Sequence, residues 1–181
     1  MPTYIALLRG INVSGQKKIK MIDLKAMLIS IGFQDVETYI QSGNVIFKSD
    51  ENNIKSLEEK IKKGIADTFG FDVPVLVKTR AGIVEILQES PFTKPEDLEA
   101  KRIYYALLKY EPEQDAIANL AQKDYPNELF SITKYCVYLN CLNGAGKAKL
   151  TNNVIERKLK VSATTRNHRT MLKLLELSKE N

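Results

Sequence analysis

Two short segments carry residue types suited to holding an anion. The first is Gly10-Ile-Asn-Val-Ser-Gly15-Gln-Lys17, which follows an apolar run and precedes a helical pattern, as a phosphate-binding loop does. It departs from G-x-x-x-x-G-K-[ST]: Gln16 stands in the place of the lysine and Lys17 in that of the magnesium-binding hydroxyl. Nucleotide hydrolysis is therefore not expected. What remains is a backbone anion nest, or simply a turn that needs positive φ. The second segment is Thr164-Thr-Arg-Asn-His-Arg-Thr170. A helix beginning near Asn167 presents unpaired N–H groups and the positive end of its dipole, and Arg166 and Arg169 are placed to grip an anion there. The plainer reading is N-capping by Thr165 or Asn167 beside two solvated arginines. Two arginines and a helix end supply roughly 4–6 kcal/mol, a dissociation constant near the millimolar range, so a ligand held here needs further contacts.

Other chemistries find no support in the residues. His168 is the only histidine, and a lone histidine is more often a surface or cap residue than a general base. With one His, two Cys and neither H-E-x-x-H nor C-x-x-C, no metal site is expected and no cofactor is implied. No G-x-S-x-G elbow is present. Cys136 and Cys141 fall on opposite faces of a continuous strand, so a disulfide is not expected and a reduced cytoplasmic setting is the simpler reading. No apolar run approaches the ~20 residues that cross a bilayer, and Met1-Pro-Thr-Tyr4 does not open a secretion signal. No membrane partner is expected.

The elements that must position these segments follow from periodicity. Thr3–Arg9 is apolar on both faces, as a covered central strand is. Met21, Leu24, Leu28 and Ile31 mark a helix ending at Gly32. Val36–Gln41 alternates, Ser42-Gly43 turns, and Val45-Ile-Phe47 is again apolar on both faces. Ile54, Leu57, Ile61 and Ile65 mark a second helix, and Val73–Val77 contains Pro74, which suits an edge strand. This is the βαββαβ order of a ferredoxin-like unit, with the first and third strands central. Residues 101–166 repeat the order more loosely: Arg102–Leu108, a helix after Pro112, Glu128–Ile132, Tyr135–Asn140, a helix through Val154–Leu159, and Val161–Thr165. A further helix follows Asn167. The fold class expected is α+β, two tandem ferredoxin-like modules, the second degraded and carrying an extra C-terminal helix. The modules span 1–90 and 101–181, with 91–100 as linker.

In such a unit the first strand ends at the same sheet edge as the turn between strands two and three. Arg9–Lys18 should lie beside Gln41–Asn44. By the same rule Lys147 and Lys149 should lie near Arg166–Arg169. Candidate ligand-binding residues are thus Arg9, Asn12, Gln41, Ser42, Asn44, Lys147, Arg166, Asn167 and Arg169. Net charge is +5, and Gly144–Lys179 holds nine Lys or Arg against two Glu. That excess favours acidic partners such as phosphates or nucleic acid, against the plainer reading of a solvated helix face. An RNA-recognition sheet fits less well. Asn44-Val-Ile-Phe47 does not display the aromatics and Arg of that surface, and Tyr104, Tyr105, Tyr135 and Tyr138 suit packing better than base stacking.

Tyr4-Ile-Ala-Leu-Leu-Arg-Gly-Ile-Asn-Val-Ser-Gly15, Thr38-Tyr-Ile-Gln-Ser-Gly-Asn-Val-Ile-Phe47 and Ala163-Thr-Thr-Arg-Asn-His-Arg-Thr170 resemble the bacterial domain-of-unknown-function 1697 family. The resemblance implies two α+β subdomains in a cytoplasmic bacterial protein, with no established activity, cofactor or catalytic residue. Its signature residues match Arg9, Gly10, Asn12, Gln41, Ser42, Gly43, Asn44, Arg166 and Asn167. The family commonly has Trp where this chain has His168, which argues against a histidine mechanism. The leading functional expectation is a binding module for a phosphate-bearing ligand, nucleotide or nucleic acid. The alternatives are an enzyme acting on a small polar substrate at the Arg9, Asn12, Gln41, Asn44 edge, and a protein-interaction or assembly module, with a homodimer left open.

Overall fold

The computed structural model describes residues 1–179. Eight strands and seven α-helices lie along them. They are β1 (Thr3–Leu8), α1 (Met21–Ser30), β2 (Gln34–Tyr39), β3 (Asn44–Lys48), α2 (Ile54–Phe69), β4 (Val75–Thr79), α3 (Arg80–Gln88), α4 (Pro95–Glu99), β5 (Ile103–Leu108), α5 (Gln114–Ala121), β6 (Glu128–Ile132), β7 (Cys136–Cys141), α6 (Asn152–Leu159), β8 (Ala163–Asn167) and α7 (His168–Leu177). The protein is α+β, with two four-stranded antiparallel sheets ordered β2-β3-β1-β4 and β6-β7-β5-β8. The doubly apolar strands β1 and β5 are central, as expected, and the second sheet is as complete as the first.

The chain forms two compact units, Met1–Val84 together with the segment from Lys173 on, and Glu85–Leu172. This differs from a division at 1–90 and 101–181. The boundary falls inside the continuous helices α3 and α7, because apolar periodicity runs through both and marks no break. The segment 91–100 falls within the second unit, and Pro95–Glu99 of it forms α4, with Pro95 at a first-turn position.

Each sheet has one face packed on two helices. In the first unit Tyr4, Ala6, Leu8, Val45, Phe47, Val75 and Val77 meet Leu24, Met27 and Leu28 of α1 and Leu57, Ile61 and Ile65 of α2. In the second, Ala106, Leu108, Val137, Leu139, Cys141 and Ala163 meet Leu120 of α5 and Ile155 and Leu159 of α6. The opposite faces are buried too: Ile5, Leu7, Ile46 and Leu76 in one sheet, Ile103, Tyr105, Leu107, Cys136 and Tyr138 in the other. That is why β1 and β5 are apolar on both sides.

Strand edges are closed by side chains. Glu58 of α2, buried, accepts the outward N–H of Val77 in β4 at 3.0 Å. Glu156 of α6 likewise accepts the N–H of Ala163 in β8 at 2.8 Å, while Asn152 donates to the Ala163 carbonyl at 3.0 Å. Edge strand β2 is broken by a register shift between Gln34 and Glu37, with Asp35 at φ +48° and paired to Lys48 at 2.7 Å. These are standard protections of a sheet edge.

The β2–β3 turn is locked by Gly43. Its φ is +80°, and a Cβ there would stand 2.7 Å from Leu8 Cβ and 2.8 Å from Ile11 Cδ1. Gly43→Ala is expected to lower unfolding free energy by about 2–4 kcal/mol, combining left-handed strain with overpacking, with the loss measured by urea unfolding.

Candidate functional site

The first corner assembles as the sequence implies. Leu8 N–H donates to the Gly43 carbonyl at 2.8 Å and Arg9 N–H to the Pro74 carbonyl at 3.0 Å, so Arg9 leaves the sheet between its two neighbours. Asn12 then ties three segments. Its amide nitrogen donates to the Ile19 carbonyl at 2.8 Å and to the Gln41 carbonyl at 2.9 Å, and its oxygen accepts from Ile19 N–H at 2.9 Å. Between these ties the chain folds back on itself. Gln16 N–H donates to the Val13 carbonyl at 2.9 Å, with Ser14 at φ +49° and Gly15 at φ +76°, the two positive φ values of a type I′ turn. The loop is therefore a miniature hairpin rather than a cradle running into a helix; α1 begins only at Met21. This is the geometric reason that the partial phosphate-loop spacing does not yield that motif's architecture.

Asn44 is fully buried, and its amide donates to the Tyr39 carbonyl and to Ser42 Oγ, both at 3.0 Å. Asn12, Ser42 and Asn44 thus build the corner, while Arg9, half-buried, and Gln41, exposed, stand at its surface. Sequence reasoning named these but passed over the charge beside them. Arg9, Lys17, Lys18 and Lys20 lie within twelve residues that contain no Asp or Glu. Lys18 and Lys20 are exposed, and Lys17 Nζ donates to the Asp72 carbonyl, pinning the loop to the β4 side of the sheet. A local charge count along the loop reveals the signal.

At the second corner the segments after β7 and β8 share one end of the sheet and take different faces. β8 ends beside the start of β5, with Tyr105 opposite Arg166, which puts Arg166 on the face away from α5 and α6. The segment after β7 goes the other way. Lys149 and Leu150 donate their N–H groups to the buried Glu128 carboxylate at 2.9 and 2.8 Å, and Leu150 joins the helix-covered core. Lys147 is exposed in the 3₁₀ turn Ala145–Lys147 of this segment. The two segments leave the same end of the sheet toward opposite faces, because side-chain alternation separates Arg166 from the face that Glu128 anchors.

Arg166 is only 8% exposed and donates to the Thr165 carbonyl at 2.9 Å; burial pushes its pKa down to about 10. It is not the solvent-facing clamp that a helix-start motif suggests. Asn167 caps α7, its Oδ1 accepting from Thr170 N–H at 2.8 Å, and Arg169 is exposed on the first turn. His168 is half-buried, with Nδ1 2.8 Å from the Tyr105 hydroxyl and the two rings stacked at 5.8 Å. Burial lowers its pKa. Tyr105 and Tyr138 form a buried edge-to-face pair, and Tyr138 donates to the Ile86 carbonyl at 2.9 Å, so both serve packing. Neither cysteine is in a disulfide, and both are buried. Burial and the Glu128 carboxylate push the Cys141 thiol up to about 11, which leaves it protonated and unreactive. Among the described residues no cluster of His, Cys, Asp and Glu could hold a metal, and no helix is long and apolar enough to cross a membrane.

Fold and site together define a class: a two-unit α+β protein with a hydrogen-bonded cationic corner and no cluster that could hold a metal among the described residues. The chain belongs to the family described as protein of unknown function (DUF1697), whose model matches residues 1–138. It is similar to the conserved bacterial protein SP0830 from Streptococcus pneumoniae, at 24% sequence identity over 98% of each chain, with a TM-score of 0.77. At that identity the likeness establishes the fold alone. No curated protein matches the chain.

Two outcomes follow. Asn12→Ala removes three hydrogen bonds and leaves the partly buried N–H and carbonyl of Ile19 unpaired, while the exposed Gln41 carbonyl turns to water; it should cost about 1–3 kcal/mol in denaturant unfolding. His168 has a folded pKa below its unfolded value near 6.5, so the unfolded state binds more protons. Its contribution to stability is full above about pH 6.5 and is lost as pH falls below that value. His168→Gln should flatten this part of the pH–stability curve, read as the difference between variant and parent at about pH 5.5 and 7.5.

Proposed function

We propose that the protein is a binding module for a phosphate-bearing ligand, a nucleotide or single-stranded nucleic acid, held at the corner of Arg9–Lys20 and Gln41. One observation carries this reading: four cations and no acid lie on a loop held by the Asn12 hydrogen bonds at the end of a covered sheet. A held loop loses little entropy on capturing an anion, and a surplus of positive charge speeds encounter. Val13 and Ile40 are exposed on the two segments that Asn12 joins, and offer apolar surface for a sugar or base. Burial withdraws Arg166 from solvent, whereas Lys18 and Lys20 of the first loop are exposed.

The alternative of an enzyme at this edge is less well supported. The amides of Asn12 and Asn44 are spent on backbone and Ser42 partners, and engaging a substrate would take the corner apart. As part of the same reading, each unit is of ferredoxin-like type; the spatial order β2-β3-β1-β4 and its counterpart β6-β7-β5-β8 support it. A reduced cytoplasmic setting is supported by two cysteines that form no disulfide and lie on opposite faces of β7.

The test uses ATP, inorganic pyrophosphate and a labelled single-stranded RNA of about fifteen nucleotides as probes, by calorimetry and anisotropy. The double variant Lys18→Glu, Lys20→Glu should bind its probe at least about ten-fold more weakly, and its salt slope for RNA should fall by roughly 1.4, two phosphate contacts at ~0.7 each. Equal affinity of parent and variant for every probe refutes the assignment.

A further inference from the structure

The four edge strands are not treated alike. β4 and β8 have outward backbone groups taken by Glu58, Glu156 and Asn152, and β2 is bulged and charged. β6 has none of these devices. Its register against β7 is unbroken from Glu128 to Ile132, and it contains no Pro, Lys or Arg.

Hydrogen-bond parity tells which groups it exposes. Leu142 N–H donates to the Asn127 carbonyl at 3.0 Å, and Thr133 N–H to the Cys136 carbonyl at 2.9 Å. Odd-numbered residues therefore turn their backbone toward β7, and Glu128, Phe130 and Ile132 turn theirs to the open edge. Glu128 N–H is taken by the Tyr125 carbonyl at 3.0 Å. The N–H groups of Phe130 and Ile132 and the carbonyls of Glu128, Phe130 and Ile132 are left to face outward. Beside them lies a groove of about 660 Å³, walled by Phe92, Ile117 and Ala121 along Leu129, Phe130 and Ile132. Leu129 is 52% exposed there.

We propose that this edge is a self-association surface, on which β6 of a second copy of the chain adds in antiparallel register. A two-fold axis at Phe130 sets Phe130 against Phe130 and Ile132 against Glu128. Each Phe130 N–H then meets the other Phe130 carbonyl, and each Ile132 N–H meets a Glu128 carbonyl. Every free outward donor is used; Glu128 N–H is already engaged by Tyr125, so the Ile132 carbonyls stay with water. The same register sets Leu129 against Ser131, large beside small, on both sides of the axis.

Charge favours a second copy as the occupant. From Tyr125 to Thr133 the only charged residue is Glu128, and its carboxylate points inward to the N–H groups of Lys149 and Leu150. Two chains of net charge +5 can meet along this strand without facing like charges. Area sets the strength. A stable dimer needs about 800 Å² from each copy, and a five-residue strand about 17 Å long falls short alone. The apolar groove walls must supply the rest, so the dimer is weak and concentration-dependent.

Sedimentation velocity of the full chain from about 5 to 500 μM tests this. The weight-average mass should rise from one chain toward two. Leu129→Lys with Ser131→Lys puts edge lysines on the strand, away from the helix-covered core, and should raise the dissociation constant at least about ten-fold. Ile132→Pro, which deletes one outward donor, and Ser131→Lys alone provide independent reads, each with its fold checked by circular dichroism. A parent that stays monomeric throughout overturns the proposal. So does a dimer that survives in any folded edge variant, or a monomer that instead captures an extended apolar peptide on β6.

Discussion

A backbone N–H or C=O removed from water must find a partner, and this requirement shapes both units. In each sheet the fourth strand lies at an edge beside the unit's second long helix. There a glutamate is turned inward, Glu58 toward Val77 and Glu156 toward Ala163, to accept an N–H with no strand to receive it. A carboxylate placed among apolar neighbours is costly unless it is hydrogen-bonded. Here that need and the need of the strand edge cancel. Glu128 follows the same logic for a loop, holding two consecutive N–H groups that the crossing from β7 to α6 leaves without a ladder.

The first corner is the polar counterpart of this economy. Asn12 imitates a short piece of backbone, giving two donors and one acceptor to segments that come together only through the sheet. Gly43 lets those segments approach, since any side chain would strike Leu8 and Ile11. The loop so held carries Lys18 and Lys20 on its exposed side, while Lys17 ties it to the Asp72 carbonyl. A matching pair of bonds recurs in the second unit, where Leu108 N–H donates to the Tyr135 carbonyl and Lys109 N–H to the Ser162 carbonyl. There the turn carries Tyr135 in place of glycine, and no asparagine plays the part of Asn12.

Arg166 and His168 illustrate how burial overrides a motif. The spacing Arg-Asn-His-Arg before a helix reads as an anion clamp. Pairing with β5 instead sends Arg166 onto a covered sheet face and sets His168 against Tyr105, so that Arg169 alone of the three stays in water. Of the nine cations between Gly144 and Lys179, Arg166 is the one that burial withdraws from the surface.

Periodicity, paired with the positions of Gly43 and Pro74, was enough to read the element order, the central places of β1 and β5 and the meeting of Arg9 with the Gln41–Asn44 turn. Those features depend on local alternation and on a topology with few solutions. The cap at Asn167 and the separation of the cysteines were legible for the same reason. Tertiary structure alone decided the rest. Which face a residue takes depends on strand register: Leu150 and Arg166 share an end but not a face. Unit boundaries that fall inside α3 and α7 leave no trace in composition. The absence of any guard on β6 shows only once hydrogen-bond parity is known, because a strand's identity is written in its side chains while its edge is written in the backbone, which is the same for every residue but proline.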